Sequence, residues 1–591
     1  MLCWLVGRAG SLPYVTEQRA NDPGNLSQDV LDRLPSHRAD VAFARYLDGT
    51  WLDVTLGEFH EHVRDVAKGL MAAGIAAGDR VVLLSKTRYE WTVADYAIWW
   101  IGAATVPVYE SSSVAQIAWI LQDSGAVAAI VETDVHRERL EEARSDVHDL
   151  RQVWCLDSGA FAEITERGSG VSDADLESRR AALTSSTLAT LIYTSGTTGR
   201  PKGCCLSHGN FRAELQGAIE LLPELFDADD TSTLLFLPLA HVFARIVQVG
   251  AIRSGTKLGH TADIKDLSKH LGEFQPTFVL AVPRVFEKVF NTASTKAYAN
   301  GRGKIFDRAA QTAIAYSKAL DNGGPGIALR TRHKVFDSLV YGKLRDALGG
   351  HAEWAISGGA PLGDRLAHFY RGIGVTVLEG YGLTETTAAL CVNTPSDQHI
   401  GSVGRPLAGT EVRVGSDSEL SFRGPQVFSG YWNNEAATAE AIDADGWFAT
   451  GDLGEVDADG FVRITGRKKE IIVTAGGKNV APAVLEDRVR ASPYVSQCLV
   501  VGDGKPFVAA LVTIDTEAWT GSLDDPELKA EVQKAIDDAN SQVSQAESIR
   551  KFVIVPDDWT EANGYLTPSF KVKRNAVLRD LHDTVEALFA R

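Results

Sequence analysis

The sequence predicts an α/β protein. A large N-terminal domain of βαβ sheets spans residues 1–466 and carries a small β-rich, barrel-like part at about 401–466; a small α+β C-terminal domain spans 470–591, and residues 467–469 join the two. Three observations predict this. Short apolar runs alternate with helical periodicities through the first half of the chain, as in βαβ units around a largely parallel sheet. Past Gly401 the texture turns to short strands and tight turns. The 591 residues exceed what one core organises, and length alone suggests roughly three to four domain-sized units.

The elements follow in order. Thr55-x-x-Glu58 is a capping box, after which Leu56, Phe59, Val63, Val66 and Leu70 recur at helical spacing until Gly74. Gly78-Asp79 turns into a strand over 81–84. A helix from Tyr89, a strand over 105–108, a helix from Val114 and a strand over 127–131 complete the alternation. The longest apolar run, 96–108, falls short of the ~20 residues a membrane span needs. With Trp99 and Trp100 it reads as a buried helix running into a strand. The polar stretch 158–180 reads as a surface connection, and 188–193 as a buried strand. Strands are expected at 277–282, 354–356 and 376–378, the last two running into glycine-rich turns. Ligands of open α/β sheets sit at the carboxyl ends of strands, so three polar turns at three strand ends predict one shared pocket. Strands at 411–414 and 419–422 suit a small barrel or hairpin layer. Beyond the charged Gly466-Arg467-Lys468-Lys469, strands are expected at 471–474, 495–501, 507–514 and 552–555, with a helix near 530–546.

Hydrophobic content of 45% and charged content of 23% are ordinary globular values. A net charge of −18 argues against general nucleic-acid binding. Six cysteines (3, 155, 204, 205, 391 and 498) show no metal-ligand or redox spacing, which reads as a reduced, cytoplasmic chain. Residues 1–10 lack the basic start and apolar core of a signal peptide. Peripheral attachment to a membrane stays open at this level.

Four constellations carry chemistry. Tyr193-Thr194-Ser195-Gly196-Thr197-Thr198-Gly199-Arg200-Pro201-Lys202-Gly203 follows a strand and reads as a polyphosphate cradle. Its glycines let backbone N–H groups turn to an anion, its hydroxyls add donors, and Lys202 adds charge. The spacing is not that of a Walker P-loop. In Tyr381-Gly382-Leu383-Thr384-Glu385 a carboxylate beside a hydroxyl suits Mg²⁺, which prefers oxygen ligands. Thr450-Gly451-Asp452 follows Trp447-Phe448, read as a strand end, and its Asp could accept two ribose hydroxyls. Lys571, within Thr567-Pro568-Ser569-Phe570-Lys571-Val572-Lys573-Arg574, is a mobile point charge suited to a phosphoryl group under attack. Taken singly, the last three are matched by ordinary turns or a solvated basic run.

In the same order, these segments resemble those of the adenylate-forming superfamily of acyl-CoA synthetases, luciferases and peptide-synthetase adenylation domains. The resemblance runs from about Thr55 to Leu578. Val282-Pro283-Arg284-Val285-Phe286-Glu287-Lys288 and Leu566-Thr567-Pro568-Ser569-Phe570-Lys571 look most like bacterial, including mycobacterial, long-chain fatty acyl-CoA synthetases. The resemblance implies ATP contacts at Thr194, Ser195, Gly196, Thr197, Thr198, Gly199 and Lys202. It implies adenine and Mg²⁺ segments in Ser357-Gly358-Gly359-Ala360-Pro361-Leu362 and in Glu379-Gly380-Tyr381-Gly382-Leu383-Thr384-Glu385, with the metal on Glu385 and adenine stacked on Tyr381. Asp452 and Arg467 would hold the ribose, and His241 of Pro238-Leu239-Ala240-His241 would meet the acyl carboxylate. Lys571, Thr384, Glu385 and His241 would be catalytic, Lys469 the hinge, and Gly476, Gly477 and Lys478 the face turned to CoA. Phe570 stands where many relatives have Gly, which keeps Lys573 as an alternative register to Lys571, and Lys469 stands where many have Asp.

The implied activity is ligation of a long-chain fatty acid to CoA: the acid and ATP give acyl-AMP and pyrophosphate, then the CoA thiol releases AMP. Mg²⁺ is the implied cofactor, ATP and CoA the co-substrates, and the C-terminal domain pivots between steps. Cys204 and Cys205 read as bland packing rather than nucleophiles. The rivals are a ligase that loads a carrier protein, disfavoured here by the chain ending soon after Lys571, and a nucleotide-binding regulator without catalysis.

Overall fold

The computed structural model describes residues 24–144, 149–194, 200–226, 230–262, 266–567 and 570–590. Two mixed sheets build the large lobe. One is six-stranded, in the order Gln152–Cys155, Ala128–Val131, Arg80–Leu84, Ala104–Val108, Leu188–Thr194, Lys202–Ser207, parallel except for the final hairpin. The other has nine strands. Its centre, Thr376–Tyr381, Trp354–Ser357, Phe278–Ala281, Ser232–Leu235, Lys257–His260 and Val41–Leu47, is parallel, and its edges close with short antiparallel strands.

The helix Tyr89–Trp100 is apolar almost all round and buried almost all round, the expected fate of such a helix. With Val242–Ser254 it contributes to the apolar core shared by both sheets. The two helices are joined by Arg245 and Asp95, both 0% exposed and 2.6 Å apart. Thr105 and Gln248 donate to the Asp95 carboxylate, and Arg245 donates to Thr190. A fully bonded buried pair of this kind fixes orientation more than it adds stability.

Most predicted elements form where expected, including the Thr55 capping box and the buried helix of the 96–108 run. The stretch 158–180 differs. It folds into the helices Ala160–Arg167 and Asp173–Ala181, which pack on Leu56–Ala72. The contact is close: a Cβ at Gly69 would stand 1.9 Å from the Ile164 carbonyl oxygen, and one at Gly168 2.6 Å from the Gly69 nitrogen. Ala160, Ile164 and Leu176 are buried in the core beside this glycine contact, but so few apolar residues in a polar stretch left no clear periodicity.

Residues 411–467 form the hairpin layer of the prediction, an antiparallel sheet of Glu411–Val414, Glu419–Arg423, Phe448–Val456 and Val462–Arg467. Thr450-Gly451-Asp452 therefore lies inside a nine-residue strand, not past a strand end at 447–448. Gly451, at φ +71°, and a register shift at Leu453/Gly454 explain why the residues read as a turn.

The strands Val495–Val501, Val508–Ile514 and Ile549–Ile554 form the C-terminal sheet. Alternate residues feed two cores. Cys498, Val500, Ala510 and Val512 meet Pro526–Asn540 on one face; Leu499, Val501, Ala509 and Leu511 meet Trp559, Leu566 and Val577 on the other. The helix starts earlier than predicted because Asp525 caps it and Pro526 opens it. Between the lobes, Arg284 donates to Ser496 Oγ at 3.0 Å and Arg365 to the Ala491 carbonyl at 3.1 Å. Among the described residues, no helix is long and apolar enough to cross a membrane.

Candidate active site

A cavity of about 1610 Å³ lies between the lobes, at the carboxyl ends of Leu188–Thr194, Trp354–Ser357 and Thr376–Tyr381. Thr194 and Lys202 face each other across the hairpin at its rim. Ser195, Gly196, Thr197, Thr198 and Gly199 lie outside the described residues. The Lys202 ammonium stands 4.8 Å from the centre of the Tyr431 ring, and the Tyr431 hydroxyl donates to Glu385 Oε1 at 2.9 Å. Tyr431 thus ties the cradle's cation to the carboxylate. Sequence reasoning missed it, since a tyrosine far from any motif has no local signal; its one cue was the aromatic pair Tyr431-Trp432 after Gly430.

Gly382 shapes the turn that presents Thr384 and Glu385. A Cβ there would fall 1.4 Å from the Ala388 carbonyl oxygen, so only glycine allows the closure. Just before it, Tyr381 donates to Asp452 Oδ2 at 2.6 Å, while Arg467 Nε donates to Oδ1 at 2.7 Å. Asp452 and Arg467 are paired across adjacent strands, and Asp452 is only 3% exposed. In this arrangement both carboxylate oxygens are engaged by protein groups. Burial, reinforced by Asp452, pushes the Tyr381 hydroxyl well above the usual tyrosine range, so it stays a donor.

His241 caps Val242–Ser254, and its Nδ1 accepts from the Phe243 N–H at 3.2 Å. That bond leaves the proton on Nε2. Burial, with the Lys571 cation as a second cause, lowers the imidazole to about 4. It is therefore a neutral donor at physiological pH.

Lys571 reaches the cavity from the C-terminal lobe. The residue keeps solvent-accessible surface, yet it lines the cavity between the lobes, among protein groups that partly desolvate it. This desolvation, then the Arg467 cation, pulls its ammonium below the usual lysine range; Asp452, Glu470 and Glu385 pull it back. Of these partners Arg467, Glu470 and Glu385, with His241, border the cavity, which Lys573 also lines. At Phe570, where the resemblance leads one to expect glycine, the backbone itself suits glycine. Its φ is +61°, a left-handed conformation costly for a bulky residue. Its ring packs against the cores of both lobes, which offsets the strain.

The remaining predicted residues divide. Gly358, Gly359, Gly380, Thr384 and Lys469 line the cavity. Ala360 and Glu379 do not. Glu379 Oε1 accepts from the Leu362 N–H at 2.8 Å, and burial, with Asp364 and Asp487 nearby, raises its carboxyl to about 7. It therefore braces the Gly358–Leu362 turn from behind. A carboxyl raised above its ordinary 4.5 contributes stability that is full below that value and lost as pH rises through about 7. Glu379→Gln should then raise the melting temperature at pH 8, by on the order of 1–2 kcal/mol of stability, and leave it unchanged at pH 4. Equal shifts at both pH values in a thermal melt would refute this. Gly476, Gly477 and Lys478 sit on a hairpin turn away from the cavity, with Lys478 3.5 Å from Glu547.

One arm of the cavity is apolar, walled by Leu215, Ala218, Leu222, Phe226, Ile246 and Val247. In sequence these residues were indistinguishable from core. Glu214 stands among them, one oxygen accepting from the Ala389 N–H at 3.0 Å, its carboxyl pushed well up by burial. Among the described residues, no group of three His, Cys, Asp or Glu side chains could hold a metal ion. Glu385 beside Thr384 in a cradle open to substrate fits the other mode, in which Mg²⁺ takes one carboxylate plus substrate phosphates.

Fold and site together describe a two-lobed α/β chain with one large cavity between the lobes, lined by Lys202 and Glu385 of one lobe, Lys571 of the other, and an apolar arm. The chain belongs to the AMP-binding enzyme family, which it matches over residues 31–432, and residues 469–591 match the AMP-binding enzyme C-terminal domain. It is 53% identical to the long-chain-fatty-acid–CoA ligase FadD15 of Mycobacterium bovis and of Mycobacterium tuberculosis, over 93% of this chain and 94% of theirs. It is 29% identical to the peroxisomal long chain acyl-CoA synthetase 7 of Arabidopsis thaliana, over 94% of this chain and 83% of that one. Two solved structures share the fold. The anthranilate CoA ligase AuaEII in complex with anthranoyl-AMP superposes with a TM-score of 0.74 at 19% identity, covering 96% of this chain and 98% of that one. The adenylation–carrier didomain of carboxylic acid reductase from Segniliparus rugosus gives 0.75 at 22%, covering 97% and 83%.

Proposed function

We propose that the chain is an ATP-dependent long-chain fatty acid–CoA ligase working in two half-reactions at the one cavity. The observation that carries it is the convergence of Lys571 with Glu385, Asp452, Arg467 and His241 beside an apolar arm. The named activity of the FadD15 relatives supports it. The fatty acid lies in the apolar arm with its carboxylate near His241, whose Nε2–H orients it. Attack of that carboxylate on the α-phosphorus of ATP brings two anions together, so cations must sit where charge builds. Lys571 stands between carboxylate and α-phosphate. Lys202 and the Thr194–Gly199 segment hold the outer phosphates, with the Lys202 ammonium positioned over Tyr431. Glu385 and Thr384 would hold Mg²⁺, which when bound neutralises phosphate charge. Tyr381 stacks on adenine, and the Asp452–Arg467 pair meets the ribose. Pyrophosphate leaves and acyl-AMP remains.

In the second half-reaction the CoA thiol attacks the acyl carbonyl and AMP departs. The lobe of residues 470–591 pivots at Lys469, withdrawing Lys571 and turning Gly476, Gly477 and Lys478 toward the pantetheine. Such gating lets one cavity serve two chemistries.

A carboxylic-acid panel scored for CoA-dependent AMP formation tests the assignment. Palmitate and its homologues should release AMP when CoA is present. Silence with every acid would remove the ligase reading, and release only with an acyl carrier protein would move the acceptor from CoA to that protein.

A further inference from the structure

Among the described residues, half of the twelve exposed large apolar side chains fall within one stretch: Tyr298, Ile305, Leu320, Ile327, Val335 and Leu339. The same stretch, 298–345, holds nine Lys and Arg against three Asp, a net of +6 in a chain of −18. Its centre is the helix Ile327–Phe336, which has no buried residue, and the turn Asp337–Tyr341 that continues it. One side is pinned: His333 stacks on Tyr316 at 3.9 Å and its Nε2 donates to the Gly372 carbonyl at 2.6 Å. The other side is open. Ile327 is 85% exposed, Val335 52% and Leu339 57%. Spacings of eight and four return these three to neighbouring positions along the helix.

The charges on this face are unbalanced. Asp337 is taken by Arg345 at 2.7 Å and Asp321 by Arg371 at 2.6 Å. Arg330, Arg332, Lys334 and Lys343 form no ion pair among the described residues. A row of aliphatic side chains flanked by uncompensated cations, on a helix too short to span, is the pattern of a segment lying in the lipid–water interface.

We propose that the helix Ile327–Phe336 and its continuation to Lys343 dock this protein on an anionic lipid bilayer. Ile327, Val335 and Leu339 enter the boundary between headgroups and acyl chains, and Arg330, Arg332, Lys334 and Lys343 meet lipid phosphates. The surface stands independently of the catalytic assignment; its use, to keep the enzyme where fatty acids partition, rests on that assignment. A bilayer fits better than an acidic protein patch because the aliphatic residues are spread along a convex helix rather than gathered around a groove.

The test is co-sedimentation of the full chain with vesicles of phosphatidylcholine alone, or mixed with phosphatidylglycerol. The wild type should pellet with the mixed vesicles and not with phosphatidylcholine alone, and salt should release it, because screening weakens attraction between exposed charges and lipid. The double variant Ile327→Asp/Leu339→Asp and the triple variant Arg330→Glu/Arg332→Glu/Lys334→Glu should each lose about tenfold in the vesicle-bound fraction. Both should keep wild-type ligation of palmitate delivered on albumin, which separates this proposal from the catalytic one. Wild-type protein that ignores anionic vesicles, variants that bind as well as wild type, or binding indifferent to salt would each overturn it. A wild-type dimer that the double variant abolishes, without any lipid binding, would give the face to a second copy instead. Should the double variant misfold by circular dichroism, the triple variant and the salt series still decide.

Discussion

Replacing Lys571 with Ala should lower ATP–pyrophosphate exchange driven by palmitate by about 10²–10³-fold, the usual loss when one preorganised donor to developing charge is removed. The side chain carries the cation that the C-terminal lobe brings to Glu385, Asp452 and His241. Little stability should be lost, since the residue is exposed and lines the cavity rather than filling a core. Thioester formation from preformed palmitoyl-AMP should stay within about threefold of wild type, because in the proposed second half-reaction the lysine is withdrawn. Because burial and Arg467 lower its pKa, Lys571 loses its charge at a lower pH than an ordinary lysine. Exchange should accordingly fade earlier on the alkaline side than an unperturbed lysine would allow, and Lys571→Arg, which keeps its charge, should push that limb upward. Wild-type exchange in the alanine variant would remove Lys571 from the first step and return attention to Lys573.

Lys469→Pro should leave exchange within about threefold of wild type and cut thioester formation by about 10²-fold. Residues Lys468–Glu470 form a single tight turn between the lobes. Proline fixes φ near −65°, a value such turns already use, so the arrangement that positions Lys571 is retained. What proline removes is the rotation that would carry the lobe to a second position. Rapid-quench measurement of the two half-reactions checks this. Equal loss of both would mean that residue 469 is merely structural and that no pivot operates there.

Much of the site was legible because its chemistry is local. A glycine that must not carry a Cβ, as at Gly382, a capping box at Thr55 and the hydroxyl-rich run after Leu188–Thr194 are written in consecutive residues. Asp452 was singled out by its residue type, but its place in the fold was misread. The bulge that makes its neighbourhood look like a turn lies within a strand. The helices of 158–180 were hidden because each buries only one or two apolar side chains, Ala160 and Ile164 in one and Leu176 in the other, within a polar stretch, and part of the docking runs through Gly69 and Gly168. Tyr431 and the walls of the apolar arm were silent, since neither tyrosine nor leucine announces what it will face.

The order of elements, the cradle, the carboxylate turn and the tail lysine were set by the chain's own order of residues, since each depends on backbone freedom and charge within a few positions. Only the tertiary structure decided which groups meet. It brought Tyr431 between Lys202 and Glu385, closed Arg467 and Tyr381 on Asp452, and lowered the pKa of Lys571 and His241 by surrounding them with protein. Distance, desolvation and shared partners arise between segments hundreds of residues apart, and no local pattern encodes them.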